Sequence, residues 1–365
     1  MIYFVLLVIW VMFADVICKK AAVSNRKKLY CWLVFIPAAL LMGLRSRYVG
    51  GVDTNWYYIP TFKKVCNYSW DEIFTLFEGK DIGFYIVEKL FTYISDDPYA
   101  FIFVVSLFIV GSYTLFVYRY SAQPVISFFV YFALGYYTAG FQLIRHMLSI
   151  SILLFAYPYI LNKKPVKFIL IVLLASTFHS SALVFLLAYP LAFARIGWKQ
   201  WLIVVATVVV SYAFGSRVFT TLEGLLGDSD RYGKFTTGDY GSEMSIVGFL
   251  IILCVYVASY ITIGKRKRRL PESRVLFNLS AISLSFMSMV ILLGEFWRIS
   301  MFFGMYNTLL LPTALTEHYR SAKNKNVAAT LILLICTMLI IYFIVFRLEN
   351  DMLSSYEFFW DDVYI

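Results

Sequence analysis

The sequence predicts an all-α, polytopic transmembrane helical bundle of about twelve helices. Three observations predict it. Apolar runs close to bilayer length recur from end to end. Tyr and Trp gather at the ends of those runs, where amphipathic rings favour the headgroup region. Basic residues come in short clusters between alternate runs, the pattern of cytoplasmic loops. The composition agrees, with 61% hydrophobic and 15% charged residues and a mean hydropathy of +0.75, too apolar for soluble layers around one core. A net charge of +10 raises nucleic acid as a partner, but no basic stripe lies on a soluble domain, so that class is excluded.

A hydrocarbon core of about 30 Å is crossed at about 1.5 Å per residue, so each span needs roughly 20 apolar residues. Segment 2–18 is apolar from Ile2, and Lys19 and Lys20 follow it; this reverses the charge order of a cleavable signal, so it reads as a retained helix with its N-terminus outside. Segment 29–44 returns outward from Arg26-Lys27-Lys28 and opens a long external loop, 45–97. In that loop Ser69 and Glu72 form a capping-box signature before an apolar run. Ile82, Phe84, Val87, Leu90, Phe91 and Ile94 recur at helical spacing, with Asp81, Glu88 and Lys89 mostly opposite, which predicts an amphipathic helix lying on the membrane surface.

Segments 98–118, 125–139 and 141–162 are the next three spans. Lys163, Lys164 and Lys167 precede the stretch that follows, and Arg195 and Lys199 come after it, so both its ends belong in the cytoplasm. Two short helices, 166–178 and 180–195, meet that requirement, with His179 at an outward-facing break. Segment 200–216 leads to a second external loop, 217–243, rich in Gly, Ser, Asp and Tyr. Segment 244–264 returns to a basic cytoplasmic loop, 265–274, holding Lys265-Arg266-Lys267-Arg268-Arg269. Segments 275–294, 297–316 and 326–346 complete the set, and an acidic tail, 347–365, lies outside. On this topology the cytoplasmic loops hold most of the 32 Lys and Arg and few of the 22 acids. Residues 1–365 form a single integral membrane domain with both termini extracytoplasmic. The five cysteines show no CxxC and no disulfide framework, and no metal site is expected.

Ionisable side chains within or beside spans are costly, so they are where function is sought first. Four places qualify, all facing outward. Residues 43–57 carry Arg45, Arg47, Gly50, Gly51, Asp53 and Tyr57, where arginines match phosphate geometry and glycines permit close backbone approach; a solvated turn with anchoring cations is the plainer reading. Gln142, Arg145, His146 and Ser149 fall on one helical face, either as a site or as a structural arginine with its partners. His179, between Phe178 and Ser180-Ser181, is suited to take a proton from a hydroxyl, or simply bonds the broken backbone. Glu295 and Arg298, with Arg231 from the second loop, offer a cation for diphosphate and a carboxylate for an acceptor; an i, i+3 ion pair explains the first two equally well. Asp228-Ser229-Asp230 spells DxD but sits in a polar loop that tolerates such triplets.

At these residues the chain resembles the EpsG family, membrane proteins of bacterial exopolysaccharide and capsule clusters grouped with Wzy-like polysaccharide polymerases. Gly43-Leu44-Arg45-Ser46 followed by Val49-Gly50-Gly51-Val52-Asp53-Thr54 and Tyr57 is similar to the family's N-terminal pattern, with an extra Val52 between glycine and acid. Gln142-Leu143-Ile144-Arg145-His146 resembles its Gln-x-x-Arg span, Phe178-His179-Ser180-Ser181-Ala182 its Phe-His-x-Ser-Ala motif, and Arg298 its late arginine. The resemblance implies polymerisation of undecaprenyl-diphosphate-linked oligosaccharide units at the outer face of the cell membrane. It implies no nucleotide or other cofactor, and it makes a flippase and a chain-length regulator of the same pathway candidate partners. His179, Arg145, Arg298, Glu295 and Asp53 are then the expected catalytic groups, and Arg45, Arg47, Gly50, Gly51, Tyr57, Gln142, His146 and Arg231 the expected substrate contacts. The rival classes are a flippase of the same lipid-linked units and a polysaccharide O-acyltransferase.

Overall fold

A computed structural model describes residues 2–76, 80–198, 200–211, 213, 242–291, 294–348, 353 and 355–362. Nearly all of the second loop, 217–243, with Arg231 and Asp228-Ser229-Asp230, lies outside the described residues, as does part of the tail 347–365. Regular structure among the described residues is helical, with an isolated antiparallel bridge between Arg45 and Phe358.

The helices, in chain order, are α1 (Ile2–Lys20), α2 (Arg26–Gly43), α3 (Ile59–Asn67), α4 (Trp70–Leu76), α5 (Ile82–Thr92), α6 (Pro98–Tyr120), α7 (Pro124–Ala133), α8 (Tyr136–Gln142), α9 (Ile144–Leu161), α10 (Pro165–Phe178), α11 (Gln200–Ser211), α12 (Ser242–Thr262), α13 (Pro271–Ser288), α14 (Phe296–Gly304), α15 (Asn307–Ser321) and α16 (Lys325–Arg347, its last turn a π-turn). Their ends follow local chemistry. Asn25, Asp97 and Asn324 accept N-terminal amides of α2, α6 and α16, and prolines open α6, α7, α10 and α13. Ser69 and Glu72 close the expected capping box, the Ser69 N–H donating to Glu72 Oε2 at 2.7 Å and the Glu72 N–H to Ser69 Oγ at 3.3 Å.

Hydropathy gives about twelve segments, but α1, α6, α9 and α16 are the four described helices long and apolar enough to cross a membrane, or five spans if α7 and α8 count as one. The difference has physical causes. Between α7 and α8 the axis bends by 50° at Gly135, which adopts φ +75°, and the Arg347 guanidinium lies 2.0 Å from where a Cβ would stand. The predicted span 141–162 breaks at Leu143, 166–178 stops at His179, and 297–316 breaks between Gly304 and Asn307. Short apolar helices flank the break at His179, whereas α9, from Ile144, keeps 18 residues.

Two compact units are present: Met1–Tyr159 with Lys164–Leu183 and Ala322–Ile365, and Ile160–Lys163 with Val184–Ser321. In the first, α2 packs on α1 and α6, and α9 on α6 and α10; aromatic rings fill the interior, with Tyr113 stacked on Tyr131 at 3.7 Å. The outward faces of α1 and α16 carry Leu6, Ile9, Phe13, Leu334, Met338 and Ile341, as lipid-facing helices require. In the second unit α13 packs on α12 and α14. Ser283 and Ser300 bond there at 2.8 Å, and Asn278 donates to the Ala192 and Ala194 carbonyls, interhelical ties averaging about 0.6 kcal/mol in lipid.

Candidate functional site

The first unit gathers a cluster of ionisable groups where α5, α9 and α10 converge. The break at Leu143 starts a fresh helix at Ile144, so Arg145 stands in the first turn of α9, its own N–H donating to the Tyr58 hydroxyl at 3.5 Å, where the helix dipole favours an anion. Its guanidinium reaches Asp81 at 3.1 Å and the Tyr85 hydroxyl at 3.3 Å, and it lies over the Tyr57 ring at 4.7 Å. Tyr57 and Tyr85 are joined through their hydroxyls. Three sides of Arg145 are thereby fixed.

His179 arrives from the other side. Helix α10 ends at Phe178, and His179 turns extended with φ −157° before a tight 3-10 stretch begins at Ser180. Its Nδ1 stands 3.6 Å from Asp81 Oδ2, an ion-pair distance slightly long for a hydrogen bond. The next residue closes the contact, the Ser180 N–H donating to Asp81 Oδ1 at 2.9 Å. His146 packs edge-on against the His179 ring at 5.1 Å. A single carboxylate thus holds Arg145, His179 and the backbone of the α10 break together.

Asp81 has φ +52°, the left-handed region that aspartate tolerates better than most residues, and it immediately precedes α5. Gly83 makes the approach possible, because a Cβ there would stand 2.3 Å from Thr177 Oγ1 and 3.0 Å from its carbonyl oxygen. Burial pushes the Asp81 carboxyl up, but His179, the Arg145 charge and the Ser180 amide outweigh it and hold the group below its ordinary value. Arg145 and His179 keep about a quarter of their side-chain surface exposed, 26% and 23%, so a substrate can reach both.

Several expected site residues fall elsewhere. Arg45 is 1% exposed and donates to the carbonyls of Met42 and Phe141; enclosed in this way, it braces the end of α2 and does not present itself to a headgroup. Gly50 and Gly51 adopt φ +86° and +107° to pack the loop against Phe141 and Gln142. Gln142 belongs to α8, so the break at Leu143 takes it off the helical face that carries Arg145, His146 and Ser149. Asp53 precedes the π-turn Thr54–Tyr58 with no side-chain cap and no ion pair among the described residues; the carboxylate at Arg145 is Asp81. Arg47 meets Asp362 at 3.8 Å. In the second unit Glu295 and Arg298 pair at 2.9 Å, the i, i+3 contact.

Sequence reasoning missed Asp81 and Tyr85 as members of the cluster, and it set Glu88 and Lys89 on the wrong side. On α5 the residues at 81, 85 and 88 share one face by i, i+4, i+7 spacing, and that face is inward: Glu88 is 0% exposed while Leu90 and Ile94 stand exposed at 53% and 80%. Neither Glu88 oxygen finds a hydrogen bond among the described residues, and burial raises its carboxyl well above the ordinary range, with Arg145 opposing. Burial, reinforced by Tyr57, likewise raises the Tyr85 phenol. The i, i+4, i+7 alignment of polar groups was the available signal.

The EpsG family model matches residues 28–358, nearly the whole chain. No curated protein and no solved structure matches it at a significant level.

Proposed function

The chain belongs to the EpsG family, and on that premise we propose that it is a membrane polysaccharide polymerase. In this reading it transfers a glycan from a prenyl diphosphate to a hydroxyl of an incoming lipid-linked repeat unit, at the extracytoplasmic face of a bacterial cell membrane. The observation that carries it is the meeting of Arg145 and His179 on Asp81. Glycosyl transfer of this kind needs a group to take the acceptor proton and a fixed cation where charge builds on the leaving diphosphate.

His179 takes the acceptor proton on Nε2 as the acceptor oxygen bonds to the anomeric carbon. Asp81 faces Nδ1 and stabilises the resulting imidazolium, as an orienting carboxylate does beside a general base. The glycosidic bond to the diphosphate breaks with its electron pair on the departing oxygen. Arg145, kept in place by Tyr57 and Tyr85 and set at the N-terminus of α9, neutralises that charge. Glu295 and Arg298 form an ion pair in the second unit, and polymerisation by Arg298→Ala in detergent tests whether that cation is needed.

The bend at Gly135 is the feature that favours transport instead, since transporters place sites at broken helices. Detergent separates the two readings, because transport has no meaning there. Purified protein given lipid-linked repeat units in detergent is expected to build a ladder of polymer lengths. Unextended units, together with movement of those units across liposomes, would identify a transporter.

A further inference from the structure

A second cluster of hydrogen-bond donors, sharing no residue with the Arg145–His179 cluster, lies in the first unit, and a carboxylate of the chain itself fills it. Asp362 accepts from the hydroxyls of Ser46 and Tyr99 and from the Arg47 backbone N–H at 3.4 Å. The Arg47 guanidinium faces it through Nε at 3.8 Å. Ser46 is fixed in turn, its Oγ accepting from the Tyr48 N–H at 3.2 Å. The surroundings of the carboxylate are two hydroxyls, an amide and a guanidinium, a donor set that suits any oxyanion.

The segment carrying Asp362 is laid along the end of α2. Tyr356 donates through its hydroxyl to the Leu41 carbonyl at 2.8 Å. The Ser46 N–H donates to Glu357 O at 2.9 Å, and the Phe359 N–H to Leu44 O at 3.0 Å. Phe359 stacks on Tyr99 at 5.2 Å. These contacts deliver the carboxylate, yet the fit is incomplete. Arg47 Nε is buried and has no hydrogen-bond partner among the described residues, because a planar carboxylate held by Ser46 and Tyr99 stops short of it. A tetrahedral phosphate presents more oxygens in more directions, and arginine matches it bidentately. Exposed aromatic side chains, Tyr48, Trp56 and Trp360, lie on the same segments.

Resting on the polymerase reading above, we propose that Ser46, Arg47 and Tyr99 form a phosphate-binding site, and that Asp362 occupies it as an intramolecular competitor which a phosphate-bearing lipid-linked substrate displaces. A carboxylate holding the site most of the time weakens the apparent affinity by the fraction of time the site is open. Removing its charge therefore strengthens binding. A residue that served only to tie the segment down has the opposite signature.

The test uses the full chain in detergent micelles and reads binding, not polymerisation, so it stands or falls separately from the ladder experiment. Undecaprenyl phosphate, inorganic diphosphate and phosphatidylglycerol are the probes. Asp362→Asn is expected to bind undecaprenyl phosphate about tenfold more tightly than the wild type, Asp362→Glu to restore the wild-type value, and Arg47→Ala to weaken binding in both backgrounds. Competition by inorganic diphosphate places recognition on the phosphate; equal binding of phosphatidylglycerol assigns the site to bulk headgroups and overturns the substrate claim. Unchanged or weaker binding by Asp362→Asn, with its melting temperature retained, overturns the competitor. If Asp362→Asn also melts early, Asp362→Glu decides: a melting temperature restored while the affinity stays at the Asp362→Asn value overturns the competitor as well.

Discussion

Asp81 carries more of the site than any other side chain, because its two oxygens meet a guanidinium, an imidazole and an amide at once. Asp81→Asn keeps the shape and the Ser180 contact but removes the charge that stabilises the imidazolium; polymerisation is expected to fall about 100-fold or more, while the protein still purifies as a folded species by size exclusion. Glu88 makes the opposite case. Its folded value lies above the ordinary carboxylate value of about 4.3, so the folded state holds the extra proton and stability falls as pH rises through and beyond that value. Glu88→Gln is therefore expected to raise the melting temperature near pH 7 and leave it unchanged near pH 4; equal shifts at both would show that the carboxyl is already ionised without cost. Arg145 and His179 were legible in the sequence because charge is rare in apolar runs. Asp81 was not, since an acid in a 53-residue loop, 45–97, is unremarkable until the fold brings it to them.

The break points matter as much as the side chains. A continuous helix through 141–162 would set Arg145 in its second turn, whereas the restart at Ile144 sets it in the first; α10 ends at Phe178, and the extended His179 that follows faces Asp81. Close approach of α5 to α10 rests on Gly83, so Gly83→Ala must separate the two helices and is expected to lower polymerisation tenfold or more, by the order of loss a misplacement of about 1 Å produces. Gly50→Ala meets both an unfavourable φ, at roughly 1–2 kcal/mol, and Phe141 Cβ at 2.5 Å; an early melting transition is the expected reading. Charge placement foretold the break at His179, because both flanks of that stretch are basic. The breaks at Leu143 and after Gly304 carry no comparable signal, since basic residues do not flank them on both sides. The amphipathic pattern of α5 was visible but did not sort its sides: Phe84 is buried together with Glu88 and Lys89, while Leu90 and Ile94 are exposed.

As a whole, the chain is a multi-pass membrane protein whose class could be read from composition alone, and whose family could be read from four short motifs in order. What composition could not supply was the number of long spans, because hydropathy scores apolar content and does not register where the backbone bends. The proposed orientation is open to direct measurement: a cysteine placed at Ile94 is expected to react with a membrane-impermeant thiol reagent added outside intact cells, and one at Arg268 only after permeabilisation. The central claim is that Arg145 and His179 act on one substrate, the first on the diphosphate and the second on the acceptor proton. Its most direct test is to measure donor binding and polymerisation side by side for purified wild type, His179→Ala and Arg145→Lys. His179→Ala is expected to bind the lipid-linked donor with wild-type affinity and build no ladder, and Arg145→Lys to lose both affinity and rate; a full ladder from His179→Ala would contradict the account.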